Sequence, residues 1–223
     1  CSLFLVAGHF RRARWRMMKS LLHSDLSPPV SILVPAHNEE GSIVSTVRSL
    51  SLLDYPGLEI IVVNDGSTDG TLTRLREAFD LKPARQPIDY PLPCRRIRAI
   101  YRSPTQARLV VVDKENGGKS DSLNAGINLS RYPLFCAIAD ATRVDIEGLR
   151  QMVRPFIEDD RCIAGGGVLK IANGCKVRDG RVVRTGLPRN LLASLQIVEY
   201  LRAFTLGRFP LAWMNCLPLV SGA

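Results

Sequence analysis

The sequence predicts an α/β domain with a mostly parallel central sheet flanked by helices. Short apolar runs alternate with segments whose apolar residues recur at helical spacing. Successive apolar runs end in clusters of carboxylate, amide and glycine residues. Repeated strand-then-helix units build parallel sheets, and such sheets gather ligands at the carboxyl ends of their strands.

The elements follow in order. "VSILV" (Val30–Val34) reads as the first strand, and Pro35 marks its end because proline cannot donate to a ladder. Ile43, Val47 and Leu50 share one helical face before Pro56 and Gly57 break the helix. "EIIVV" (Glu59–Val63) is a second buried strand, and Thr68–Phe79 a helix with Leu72, Leu75 and Phe79 on one side. Residues 82–106 carry Pro83, Pro87, Pro91, Pro93 and Pro104, and read as an insertion, mostly loop, around a short strand at Ile97–Tyr101. "RLVVVD" (Arg108–Asp113) is the next strand, "NGGKSDSLNAGINL" a loop turning into a helix, and "LFCAIA" (Leu134–Ala139) a central strand.

Beyond it, Ile146–Phe156 reads as a helix with Asp145 as its N-cap. "CIAGGGVLKIANG" reads as a strand with close backbone approaches at its glycines, followed by a hairpin around Asp179 and Gly180. Between Asn190 and Phe209, Leu191, Leu195, Val198, Leu201 and Phe204 recur at helical spacing while Arg202 and Arg208 stay polar. That helix either packs on a core or lies on a membrane surface. The chain ends in "LPLVSGA", an apolar run with no closing element, which reads as a fragment cut at both ends.

With 223 residues and 46% hydrophobic content the chain can bury a full core. Its formal charge of +9 is concentrated at Arg11, Arg12, Arg14, Arg16 and Lys19, with no acid before Asp25. Such a run fits nucleic acid, a phosphate-bearing substrate or an anionic membrane face. The apolar "CSLFLVAGHF" before it selects the last: residues 1–27 read as the end of a membrane helix and a basic juxtamembrane linker on the cytoplasmic side, with Trp15 at headgroup depth. The apolar run is too short to span, and a signal peptide would carry its positive residues first. Residues 28–223 form the folded domain. Six cysteines are scattered without a CxxC pair and only three histidines accompany them, which disfavours zinc. Cys136 and Cys162 lie in apolar runs and read as reduced core residues. A nucleic-acid module would need aromatics spaced on strands and basic residues across a face, and this chain has neither.

The chemistry sits at the strand ends: "PAHNEE" (Pro35–Glu40), "NDGSTD" (Asn64–Asp69), "DKENGGKSDSLNAG" (Asp113–Gly126) and "ADATRVD" (Ala139–Asp145). Carboxylates alone on one rim repel, so a cation must bind among them or their pKa values must rise. A divalent metal carrying a diphosphate meets that need. Lys119, at a helix start after Gly117 and Gly118, adds a point charge and backbone donors suited to phosphate. "GGKS" is not a nucleoside-triphosphatase loop, because Asp113 stands where that motif needs a glycine.

These motifs, in this order, resemble the membrane-embedded inverting glycosyltransferases of family 2, with the synthases of poly-N-acetylglucosamine, chitin and hyaluronan as nearest kin. The likeness runs from about Val30 to Ala223. It implies the GT-A (nucleotide-diphospho-sugar transferase) fold, here incomplete on its C-terminal side, on the cytoplasmic side of the cell membrane. It also implies a UDP-sugar donor, N-acetylglucosamine by preference, and a polysaccharide or lipid acceptor. By resemblance, Pro35, Asn38 and Glu39 line the uridine pocket, Asp65 contacts base or ribose, Lys119 sits near the nucleotide, and Asp140 is the metal ligand for Mg²⁺ or Mn²⁺. The family reads Asp-x-Asp where this chain reads "AIADAT". An ungapped match puts Ala139 and Ala141 at the two aspartates and Asp140 between them; a one-residue deletion after Ala141 keeps Asp140 as first ligand. Either register weakens the metal site. The family's general base and its Gln-x-x-Arg-Trp clamp would lie beyond Ala223, so no transfer is expected from residues 1–223 alone. A degenerate relative that binds nucleotide or partners without catalysis, and a basic membrane or nucleic-acid binding module, are the competing readings.

Overall fold

The computed structural model describes residues 27–85, 91–138, 144, 148–159, 161–166, 174–178, 181–184, 186–188 and 190–203. In chain order the elements are β1 (Val30–Ala36), α1 (Ile43–Ser51), β2 (Leu58–Asp65), α2 (Thr71–Phe79), β3 (Lys82–Pro83), β4 (Ile97–Arg102), β5 (Leu109–Lys114), α3 (Lys119–Leu129), β6 (Leu134–Ala137), α4 (Gly148–Glu158), β7 (Lys176–Arg178), β8 (Arg181–Arg184) and α5 (Leu191–Leu201). They fall into two compact units: the described residues up to Glu40 and from Asp54 to Ala137, and those from Gly41 to Leu53 and from Ile138 onward.

The first unit is built on one six-stranded sheet of order β3-β4-β5-β2-β1-β6. β6, β1, β2 and β5 run parallel, while β4 adds antiparallel to β5 and β3 antiparallel to β4. Every residue of β2 and of β5 is buried, as expected of strands covered on both faces, where apolar runs lose their alternation. On one face Leu33, Ile61, Val63, Ile100, Val110 and Val112 pack with Ala125 and Leu129 of α3. The alternate residues Asp65 and Lys114 continue that face to the carboxyl ends of β2 and β5, where they are register partners.

Three sequence expectations change. The segment 82–106 is not a mere insertion: β4 pairs along β5, with Ile100 opposite Val112, and supplies Ile100 to the core. Pro35 lies inside β1, opposite Val63, rather than after its end. The reason is geometric. Val30 N–H donates towards β2, to Gly57 O, and donors alternate along a strand, so the donor that Pro35 lacks would face β6, whose pairing stops at Leu33–Ala137. "LFCAIA" forms only β6, at the sheet's edge among the described residues and half exposed, with Phe135 outward. Ala139 lies outside the described residues.

At the amino ends of the strands the unit buries an acid. Glu59 is fully buried; its carboxylate accepts Ser31 Oγ at 3.0 Å and Arg131 Nε at 2.8 Å, while the Arg131 side chain keeps 51% of its exposure. The ion pair therefore ties the starts of β1 and β2 to the turn between α3 and β6.

In the second unit, α1 buries Ile43, Thr46, Val47 and Leu50, the predicted face with Thr46 added. α4 buries Leu149, Arg150 and Val153 and holds Pro155 within its length. Residues 162–166 form no strand; the remainder of that expected strand, and Asp145, lie outside the described residues. β7 and β8 pair antiparallel with Arg178 opposite Arg181; the turn expected at Asp179 and Gly180 lies outside the described residues. Asn190 caps α5, its Oδ1 accepting Leu192 N–H at 2.9 Å. Leu191, Leu195, Val198 and Leu201 of α5 are exposed, and residues 204–223, with Phe204 and Arg208, lie outside the described residues. Among the described residues no helix is long and apolar enough to cross a membrane; the anchor expected at residues 1–27 falls almost wholly outside them. Cys136 and Cys162 are free, half-buried thiols, and burial pushes the Cys136 thiol up to about 11.

Glu59→Leu removes the acceptor of the buried Ser31 hydroxyl and leaves Arg131 free to turn to water. Stability should fall by about 2 kcal/mol, the cost of an unsatisfied buried polar group. Ser31→Ala in the same chain should recover most of it, read as the urea midpoint.

Candidate functional site

The loops after β1 and β2 are sewn together by reciprocal hydrogen bonds. Three successive backbone N–H groups, of Asn38, Glu39 and Glu40, donate to Ser67 Oγ at 3.0 Å, Thr71 Oγ1 at 2.8 Å and Asp69 Oδ2 at 3.1 Å. In return, Asn38 Oδ1 accepts Thr68 N–H at 2.8 Å and Glu40 Oε2 accepts Gly70 N–H at 3.1 Å. Asn38 achieves this with φ 57°, a left-handed conformation that asparagine tolerates better than most residues. The absence of a side chain at Gly70 lets the Glu40 carboxylate lie close against it, for a Cβ there would lie 2.7 Å from Glu40 Cδ. Asp69 accepts the Thr71 hydroxyl at 2.5 Å and its N–H at 3.0 Å. The hydroxyl bond is the main cause holding the Asp69 carboxyl below its ordinary value. These bonds occupy residues 68–70, so α2 starts at Thr71 and not at Thr68, and Leu72 is only half-buried.

A second knot joins β2 to the loop after β5. Lys114 Nζ lies 2.5 Å from Asp65 Oδ1, 2.5 Å from Asp121 Oδ1 and 2.6 Å from Glu115 O. The Lys114 side chain has no exposure at all and that of Asp65 only 4%. Asp65 also accepts Gly117 N–H at 3.0 Å and Gly118 N–H at 2.7 Å. Burial pushes the Asp65 carboxyl up, but the Lys114 ammonium and the two glycine N–H groups outweigh it and hold the pKa below the ordinary value. The backbone donors of Gly117 and Gly118, which the sequence offered to a phosphate, are thus given to Asp65.

His37 closes the rim. Its Nδ1 lies 2.8 Å from Asp65 O and its Nε2 lies 3.3 Å from Asn38 Nδ2, which assigns the proton to Nδ1 as donor and leaves Nε2 to accept. Asn116 Nδ2 donates to the same Asp65 carbonyl at 3.1 Å. Gly66, at φ 60°, lets the β2 turn approach this residue, for a Cβ there would lie 2.7 Å from Asn116 N.

Of the six site residues read from sequence, five lie on this rim or at its edge. Pro35 is in the last turn of pleat in β1, Asn38 and Glu39 are in the first knot, Asp65 centres the second, and Lys119 opens α3 directly after Gly118. Asp140 lies outside the described residues, as do Ala139 and Ala141. No three His, Cys, Asp or Glu side chains gather to hold a metal among the described residues. Sequence reading carried Lys114, Asp121, His37 and Asn116 within its strand-end motifs but gave none of them a role. Lys114 could have been found by register, since its parity in β5 matches that of Asp65 in β2.

Asp65 binds fewer protons in the folded chain than in the unfolded one, so its stabilisation is complete above the ordinary carboxylate pKa of about 3.9 and is lost as pH falls through the lower folded value. Asp65→Asn should flatten that acid limb in thermal melts. At neutral pH it should cost about 3 kcal/mol, because a buried ammonium loses one of its two carboxylates.

Comparison with known proteins fits this arrangement. The family model described as Glycosyl transferase family 2 matches residues 31–181, more than half of the chain. "Probable glycosyltransferase YdaM" of Bacillus subtilis (strain 168) is 29% identical over 188 residues, covering 78% of this chain and 38% of that protein. "Poly-beta-1,6-N-acetyl-D-glucosamine synthase" of Staphylococcus aureus (strain MSSA476) is 25% identical over 172 residues, covering 77% of this chain and 32% of that one. This chain therefore spans a little over a third of the first relative's length and about a third of the second's. Among solved structures, the mannosyltransferase PcManGT of Pyrobaculum calidifontis, in complex with GDP-Man and Mn²⁺, aligns with a TM-score of 0.44 at 22% identity, over 68% of this chain and 42% of that one. The span of the family match takes in β1, β2, β5, α3 and all the loops of the rim, and on it the chain belongs to glycosyl transferase family 2, with the mixed α/β sheet of the GT-A class.

Proposed function

We propose that this chain forms the donor-binding part of a glycosyltransferase that moves a sugar, N-acetylglucosamine, from UDP to a polysaccharide or lipid acceptor with inversion. The observation that carries the reading is the rim itself: the carboxyl ends of β1, β2 and β5 are bound into one frame whose edge holds Asn38, Asp65 and Lys119. Family membership supports sugar transfer, and a relative named for poly-N-acetylglucosamine synthesis supports the sugar and the polymeric acceptor.

In this reading Pro35, Asn38 and Glu39 border the uridine. A carboxylate offers about four lone-pair positions, and Asp65 uses three on Lys114, Gly117 and Gly118, which leaves one for base or ribose. Lys119 offsets the charge of the departing diphosphate. Asp140 would hold Mg²⁺ or Mn²⁺, which when bound neutralises that diphosphate. The acceptor hydroxyl gives its proton to a general base and attacks the anomeric carbon in line, and the bond from that carbon to the diphosphate oxygen breaks as UDP leaves. The basic run Arg11–Lys19 supports a place at the cytoplasmic face of the cell membrane. Ala139 and Ala141 beside Asp140 favour a second reading, a relative that binds nucleotide without catalysis.

Isothermal titration with UDP and UDP-N-acetylglucosamine, with and without Mn²⁺, tests both readings. The expected result is binding that metal strengthens only weakly. Ala141→Asp should raise the metal gain if Asp140 is first ligand, whereas Ala139→Asp with Ala141→Asp should do so in the ungapped register. A wild-type metal gain as large as in an enzyme with an intact Asp-x-Asp contradicts the weakened metal site. Indifference to UDP, with steeply salt-dependent binding to polyanions, contradicts the whole assignment.

A further inference from the structure

We propose that Lys114 is the positioning residue of the nucleotide rim: its ammonium touches no ligand, but sets the Gly117–Gly118 turn that leads into Lys119. The proposal rests on the reading of the rim as a nucleotide site. An ammonium has three N–H donors, and Lys114 directs them at Asp65, Asp121 and the Glu115 carbonyl, at 2.5, 2.5 and 2.6 Å. The donors are used up, and the side chain has no exposed surface through which a nucleotide could reach it.

Of the two carboxylates that Lys114 holds, Asp65 bonds the turn itself and Asp121 lies against it. From β2, Asp65 takes the N–H groups of Gly117 and Gly118. From the first turn of α3, Asp121 takes Arg95 N–H at 3.1 and 2.9 Å, and its Cγ would sit 2.5 Å from a Cβ at Gly117. Without a cation between them, two carboxylates sharing one buried spot repel, and one must protonate or move away. Lys114 thus does two separable things. It cancels the repulsion, which is a matter of folding, and it orients Asp65 towards the turn, which is a matter of where Lys119 begins.

The test compares the full chain with Lys114→Met, Asp121→Asn and the double variant Lys114→Met/Asp121→Asn. It reads Tm, UDP affinity by titration, and amide hydrogen exchange at Gly117 and Gly118. The single Lys114→Met should lose both Tm and affinity. The double variant, relieved of the like-charge pair but with Asp65 still lacking its cation, should recover part of the lost Tm while its UDP affinity stays down about tenfold, the size of one charge-assisted hydrogen bond. In the double variant, exchange at Gly117 and Gly118 should quicken by about tenfold or more while Val62 and Val111 in the sheet keep their protection. Recovery of affinity and of glycine protection along with Tm overturns the positioning role and leaves Lys114 as a charge balance alone. A wild-type chain that binds no UDP overturns the nucleotide reading and the proposal with it, whereas wild-type binding that all variants retain overturns the proposal alone.

Discussion

The rim depends on one buried carboxylate. Asp65 ends β2, a strand buried along its whole length, and its side chain meets a lysine from β5 and two backbone N–H groups from the loop that β5 feeds. A charge so far from water is tolerated only when paired and hydrogen-bonded. The same bonds that satisfy it fix the path of the chain into α3. What makes the strand end stable is therefore also what shapes the edge where a ligand would sit.

The loop after β1 is shaped by different means. There the glue is a set of neutral and surface hydrogen bonds, each worth little singly, but arranged so that three consecutive N–H groups and two returning side chains close on one partner loop. Asn38 in the left-handed region is the local cost of that arrangement. Strain of this kind persists where surroundings over-determine it, and it concentrates at functional sites. Asn38 and Glu40 thus serve the loop as structural braces whether or not nucleotide is bound.

Much of the first unit was legible because its strands are apolar runs bounded by polar clusters, and the helical face of Ile43, Val47 and Leu50 was legible by spacing alone. At the edge of the sheet β4 was legible as a short strand at Ile97–Tyr101, but its place beside β5 was not: it is only partly buried and carries Arg98 and Arg102, so its hydrophobic pattern is weak, and the prolines around it read as loop although Pro83 can sit at a sheet edge without breaking a ladder. Asp65 and the strand-end motifs were visible as chemistry, but their partners were not. Lys114 received no role from the sequence, because its burial follows from the pairing of β2 with β5, a non-local fact. His37 and Asn116 were hidden for the same reason, since their roles arise from a carbonyl, Asp65 O, that no sequence pattern marks.

The central claim is that the rim exists before ligand arrives, tied by Asp65 and ready for a nucleotide. Crystal structures of the protein with and without UDP measure this most directly. The account predicts that Asp65, Lys114, Gly117 and Gly118 keep the same contacts in both, with the nucleotide lying across the carboxyl ends of β1 and β2 and its diphosphate beside Lys119. A nucleotide-free crystal in which Asp65 has released the glycine turn, or UDP bound on another face of the sheet, would contradict it.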